Sequence, residues 1–135
     1  MIAVADTSPI CYLVLIGEIA PESVRDWARS LPSWVSVQDP ASDVALGLEK
    51  LQSGERAAIL LAESLRADLV LLDEKAARRL AADRGLRVTG VLGVLSEAAS
   101  RGLVDLARAI DRLRTTNFRC SAALLKATLD RFADR

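Results

Sequence analysis

Residues 69–74 read Leu-Val-Leu-Leu-Asp-Glu, and the fold is decided there. Leu69 to Leu72 is an unbroken apolar run. A strand with one wet face alternates apolar and polar residues, so a short continuous run marks a strand buried on both faces, as in a parallel sheet covered by helices. The run stops abruptly in two carboxylates, Asp73 and Glu74. The start of the chain has the same form: apolar Ile2 to Ala5 ends in Asp6-Thr7-Ser8-Pro9.

Working outward from these two strands, helical patterns flank each of them. Ser8-Pro9 opens a helix predicted over Ile10 to Ile19, with proline in its first turn and Pro21 ending it. A second helix is predicted over Glu22 to Ser30. Trp34-Val35-Ser36-Val37 alternates and reads as a short strand closed by Asp39-Pro40. Ser42 caps a helix over Asp43 to Leu51, and Ser53 caps another over Gly54 to Leu65 that turns Ala57, Ala58, Leu61 and Ala62 inward. After the strand at Leu69 comes a helix over Lys75 to Asp83, with Gly85 at its C-cap. Arg87 to Thr89 is a further strand. Helices over Leu95 to Ser100, Leu103 to Arg114 and Ser121 to Phe132 complete the chain, the last two separated by an extended piece, Asn117 to Cys120. Strands alternating with helices predict an α/β fold in one domain, residues 1–135, with a central parallel sheet.

Composition narrows the chemistry. The 135 residues are 51% hydrophobic and 27% charged but only 4% aromatic, so the core is aliphatic. Acidic and basic residues balance at 18 each, so no global charge draws the chain to nucleic acid or membranes, and an RNA partner needs a local basic patch. No apolar run reaches the roughly 18 residues of a membrane span. The first apolar stretch carries Asp6 and no basic leader, unlike a signal peptide. Cys11 and Cys120 lie far apart without a C-x-x-C pattern, which predicts two free thiols in a reducing cytoplasm. There is no histidine. That removes Ser-His and Cys-His pairs, histidine bases and histidine zinc sites. Any catalysis therefore falls to carboxylates, with a metal, or to lysine.

Ligands of open parallel sheets bind beyond the carboxyl ends of the strands. Asp6 and Asp73 end two strands there, and neighbouring strands lie about 4.8 Å apart. Glu55 begins a helix that runs antiparallel to the following strand, so it returns to the same edge. Three unpaired carboxylates repel, and a hard cation such as Mg²⁺ or Mn²⁺ resolves the repulsion. Such an ion suits phosphodiester hydrolysis by a metal-activated water. Thr7 and Ser8 stand as hydroxyl donors beside the first acid. Taken singly, Asp6 is an ordinary turn or N-cap residue, Glu55 an acid favourable at a helix start, and Glu74 a solvated one. Lys75 and Arg78 are the cations placed to face the cleft. Arg79 reads as surface charge paired with Asp83, as do most of Arg112, Arg114 and Arg119. Trp27 and Trp34 read as packing residues ahead of base-stacking ones.

The segments VADTSPICYLVLIGEI, LQSGERAAILLAESLRADLVLLDEKAARRLAADRGLRVTGVLGVLSEAASRGLV and NFRCSAALLKATL together resemble PIN-domain proteins, nearest to a VapC-like branch of toxin–antitoxin systems. The block from Gly54 to Gly102 is the most specific. The resemblance implies a three-layer αβα fold with a parallel sheet of four to five strands. It also implies a metal-dependent ribonuclease, homodimeric and restrained by a small antitoxin. Asp6 matches the family's first acid, Glu55 the acid opening the long helix, Asp73 the acid after the next strand, and Thr7 or Ser8 the adjacent hydroxyl. The chain departs from the pattern after its first helix, where about twenty residues with a further strand and acid have no counterpart. A forced match puts Trp27 at that acid, with Glu18, Glu22 and Asp26 as nearby substitutes. The departure motivates a second reading, a PIN scaffold that binds a protein partner or RNA without cleaving. A third, an aspartyl phosphatase or phospho-acceptor, lacks the second aspartate two residues after Asp6, where Ser8 stands.

Overall fold

The computed structural model describes residues 1–17, 26, 29–40 and 46–133. Three strands, β1 (Ala3–Ala5), β2 (Leu69–Leu71) and β3 (Val88–Thr89), form a parallel sheet in the order β1-β2-β3. The register pairs Ala5 with Leu71 and Leu71 with Thr89. Six helices are described: α1 (Thr7–Leu15), α2 (Ser53–Ser64), α3 (Lys75–Asp83), α4 (Val91–Ser100), α5 (Leu106–Arg114) and α6 (Ala122–Ala133). The α/β class and parallel sheet follow the expectation.

Strand alternation divides the core. Val4, Val70 and Leu72 point one way, packing with Ala58, Ile59 and Ala62 of α2 and Ala77 and Ala81 of α3. On α1, α4, α5 and α6, Leu13, Leu95, Ile110 and Leu125 build a second cluster. Leu72, Ile59 and Val70 are completely shielded from water, which is why the 69–72 run tolerates no polar residue. Arg84 ties two parts of the first cluster's rim together: its Nε donates to Glu63 Oε1 at 2.7 Å and its Nη1 to the Leu46 carbonyl at 2.8 Å.

Several predicted elements are corrected. The described residues hold three strands, and the expected total of four to five is not shown by them. Trp34–Val37, the alternating candidate, is not a strand: the chain turns there, with the Val35 N–H bonded to the Pro32 carbonyl, and Trp34 and Val37 are 71% and 83% exposed. Alternation signals a strand only when one face is buried, and these side chains have no such face. The predicted helix over Asp43 to Leu51 is replaced, from residue 46 on, by turns. Gly47 adopts φ +84°, which a right-handed helix excludes, and a single Leu51 N–H to Leu48 carbonyl bond suffices to bury both leucines. Ser42 and the start of that helix lie outside the described residues. So do most of the predicted helix from Glu22 to Ser30, with Glu18, Glu22 and Trp27.

Helix starts also shift. α1 begins at Thr7, because Asp6 accepts the Thr7 N–H at 2.7 Å, and Pro9 sits in its first turn. Gln52, not Ser53, is the N-cap of α2. α4 starts at Val91, directly after Gly90, and α5 at Leu106, capped by Asp105 accepting from the Arg108 N–H. No described helix is long and apolar enough to cross a membrane.

Candidate active site at the carboxyl edge of the sheet

Asp6 and Asp73 leave adjacent strands at the same edge. The Asp6 N–H bonds to the Leu71 carbonyl at 3.1 Å, continuing the β1–β2 ladder one residue past its end, and Asp73 follows one residue beyond Leu72. Asp73 senses its charged surroundings. The Asp73 carboxyl is raised above the ordinary aspartate value, first by burial, then by Glu74 and by Asp6, with Arg78 opposing. This is the mark of a carboxylate with too many negative neighbours and too little water.

The long-helix topology brings α2 to this edge as expected. A Cβ on Gly54 would stand 2.9 Å from Asp6 Oδ1, so the first turn of α2 lies directly against that carboxylate. Glu55 is 6% exposed, and its Oε2 accepts the Gln52 backbone N–H at 3.1 Å. Here Glu55 closes the helix start, the role its position alone suggests. Asp6 is likewise engaged in part by Thr7. Neither bond exhausts a carboxylate, which offers about four lone-pair directions. Among the described residues, no three acidic or thiol side chains are gathered tightly enough to form a preformed metal cage. The arrangement is two carboxylates, Asp6 and Asp73, past the ends of neighbouring strands, with the start of α2, which carries Glu55, against Asp6 through Gly54. These carboxylates offer only oxygen donors, the kind a hard divalent ion takes while keeping most of its waters. Thr7 and Ser8 are exposed on the first turn of α1 at the same edge.

Of the candidate cations, Arg78 reaches the site. It is half-buried, and its Nη1 donates to the carbonyls of Leu72 (3.2 Å) and Asp73, clamping the end of β2. Gly90 leaves room for it, since a Cβ there would approach Arg78 Nη1 to 3.4 Å. Lys75 and Arg79 are exposed. Arg112 donates to the Ile16 carbonyl at 2.7 Å, at the end of α1, and Arg114 pairs loosely with Asp111 at 3.9 Å.

Sequence reasoning missed three contributors. Tyr12 lies in the field of the acids: its hydroxyl pKa is raised by burial, then by Asp73 and Glu74. Its ring meets Phe118 edge-on at 5.1 Å. Phe118 and Arg131 line a cavity of about 450 Å³ that also has Asp73 and Arg119 in its wall. Only long-range packing brings these residues together, and no local pattern announces it. Cys11 and Cys120 are both free, and burial pushes both thiols up, so neither is an activated nucleophile.

Gly54 supplies a prediction. Gly54→Ala adds a methyl against Asp6 Oδ1, the oxygen that accepts the Thr7 N–H, so the gain from removing a helix glycine is offset by a disturbed α1 cap and stability should change by no more than about 1 kcal/mol. If Asp6 holds a reacting group, the displaced carboxylate should cost about ten- to a hundredfold in activity. Thermal melting alongside an activity assay separates the two effects.

A family model described as a PIN domain, a nuclease-type fold, matches residues 19–134, a span that includes Glu55 and Asp73 and begins after Asp6. No curated protein and no solved structure matches the chain.

Proposed function

This chain belongs to the PIN-domain family, and from that membership we propose that it is a metal-dependent ribonuclease, of the toxin kind restrained by a small antitoxin. Asp6 and Asp73 would hold one Mg²⁺ or Mn²⁺, with Glu55 binding it directly or through water. When bound, the ion lowers the pKa of a water and offsets the charge that develops on the phosphoryl oxygens. The protein's own part is placement. The β1–β2 ladder brings Asp6 and Asp73 to the same sheet edge, and Arg78 grips the carbonyls that precede and include Asp73. Thr7, capped by Asp6, and Ser8 present hydroxyls toward a phosphate at the start of α1. A second copy of the chain and the antitoxin are the protein partners of this reading.

The observation that supports the proposal is that Asp6 and Asp73 follow the ends of neighbouring parallel strands at one sheet edge, with Asp73 held above its ordinary pKa by burial, Glu74 and Asp6. The test is cleavage of single-stranded RNA by the purified chain with Mg²⁺ or Mn²⁺. Cleavage that stops with EDTA and in Asp73→Asn supports it. Metal-independent cleavage, or none, rejects it. The non-cleaving scaffold draws its own support from Glu55, whose carboxylate serves α2 in place of a third ligand position. RNA or protein binding without hydrolysis would select that reading.

A further inference from the structure

The cavity of about 450 Å³ beside Asp73 lies between the start of α4 and the face of α6. Its volume falls within the range of small-ligand sites. Its lining sets Arg78, Arg119 and Arg131 against Asp73 and Glu97, a positive balance. Arg119 and Arg131 both line it and both are exposed. Among the described residues neither makes an ion pair. The one hydrogen bond either donates is a long one, from Arg131 Nε to the Ala127 carbonyl at 3.4 Å. Glu97 also lines the cavity, but its carboxylate is occupied by Arg101 at 2.9 Å. Two cations without an ion pair among the described residues thus line a pocket that also has Asp73 and Glu97 in its wall. Gly90 to Gly93, the uncapped start of α4, forms part of the wall and adds positive potential from its free N–H groups. The rest of the wall mixes polar side chains, Arg78, Ser96, Ser121 and Thr128, with apolar ones, among them Phe118, met edge-on by Tyr12, and Leu124, which is 44% exposed.

A pocket with an aromatic side, the guanidinium groups of Arg119 and Arg131, and Asp73 in its wall matches one unpaired nucleotide: a base against carbon, a phosphate on arginine. We propose that this cavity is the binding subsite for the nucleotide flanking the scissile bond, its phosphate held by Arg119 and Arg131 and its base packed against Phe118 and Leu124. The proposal rests on the ribonuclease reading for what happens at Asp73, but binding here needs neither metal nor cleavage. It also requires single-stranded RNA, because a base stacked in a duplex cannot enter the cavity.

The test is fluorescence anisotropy with a labelled single-stranded oligouridylate in EDTA, on wild type, Arg119→Ala, Arg131→Ala and, as a surface control, Arg114→Ala. Circular dichroism verifies folding, with Arg119→Gln and Arg131→Gln as substitutes for any alanine variant that fails to fold. Wild type should bind. Each cavity variant should weaken binding about tenfold and reduce the slope of log affinity against log salt by about 0.7 for the lost phosphate. Arg114→Ala should match wild type, and duplex RNA should compete poorly. Equal affinity of wild type and both cavity variants, or no binding by wild type, overturns the subsite. The two proposals separate cleanly. Arginine-dependent binding without metal-stimulated cleavage by wild type keeps the subsite and removes the ribonuclease. Cleavage abolished by Asp73→Asn, with KM unchanged in both arginine variants, does the reverse.

Discussion

Asp73→Asn should abolish metal-dependent RNA cleavage, by a hundredfold or more on the scale of removing a group that stabilises reacting charge, and at the same time make the metal-free protein more stable. The first effect follows from losing half of the carboxylate pair that holds the ion. The second follows from the sign of the Asp73 pKa shift. Burial, Glu74 and Asp6 raise it, so the folded state disfavours the ionised form relative to the unfolded chain. A raised acid contributes stability that is fully present below its unfolded pKa and is lost as pH rises through its folded pKa. Wild type without metal should therefore become less stable as pH climbs through and above the ordinary aspartate range. Asparagine removes that loss. Its gain in melting temperature should be present at neutral pH, shrink as the solution is acidified and vanish once wild-type Asp73 is protonated. Saturating Mn²⁺ should reverse the ranking by stabilising only wild type. Melting curves with and without Mn²⁺ across pH check all of these points. A variant less stable than wild type in EDTA at neutral pH would mean that Asp73 is an ordinary structural acid.

Leu72→Ala is the second large effect. Leu72 is fully buried in the first core cluster and immediately precedes Asp73. Truncation removes hydrophobic burial and leaves a cavity between α2, α3 and the sheet, at a cost of about 2–5 kcal/mol. That is a large part of the roughly 5–15 kcal/mol that stabilises a domain, so the variant should unfold at markedly lower denaturant. Leu103→Ala, at a residue 73% exposed, should stay within about 0.5 kcal/mol of wild type. Urea unfolding distinguishes the pair. Similar midpoints would contradict the burial assigned to the end of β2.

The Leu72–Asp73 junction is also where the sequence was most legible. An unbroken apolar run has few explanations besides a doubly covered strand, and a carboxylate at its end has a fixed location in an open parallel sheet. The start of α2 beside Asp6 followed from topology. What the sequence could not convey was competition for the same atoms. Glu55 lies at the expected edge, yet its carboxylate closes the helix start, because a backbone N–H three residues upstream offers a partner at contact distance. Trp34–Val37 misled for the converse reason: alternation was present, but the sheet that would bury one side of it was not. Gly47 broke a predicted helix through a left-handed φ that composition does not reveal. The cavity wall of Phe118, Arg119 and Arg131 is a product of α6 packing on α4, and residues far apart in sequence carry no local signal of it.

The shared cation at the edge of the sheet is tested most directly by calorimetric titration of Mn²⁺ into wild type, Asp6→Asn and Asp73→Asn at neutral pH. One site in wild type is expected, weakened about tenfold or more by either substitution. No uptake by wild type, or equal uptake by all three proteins, would contradict it.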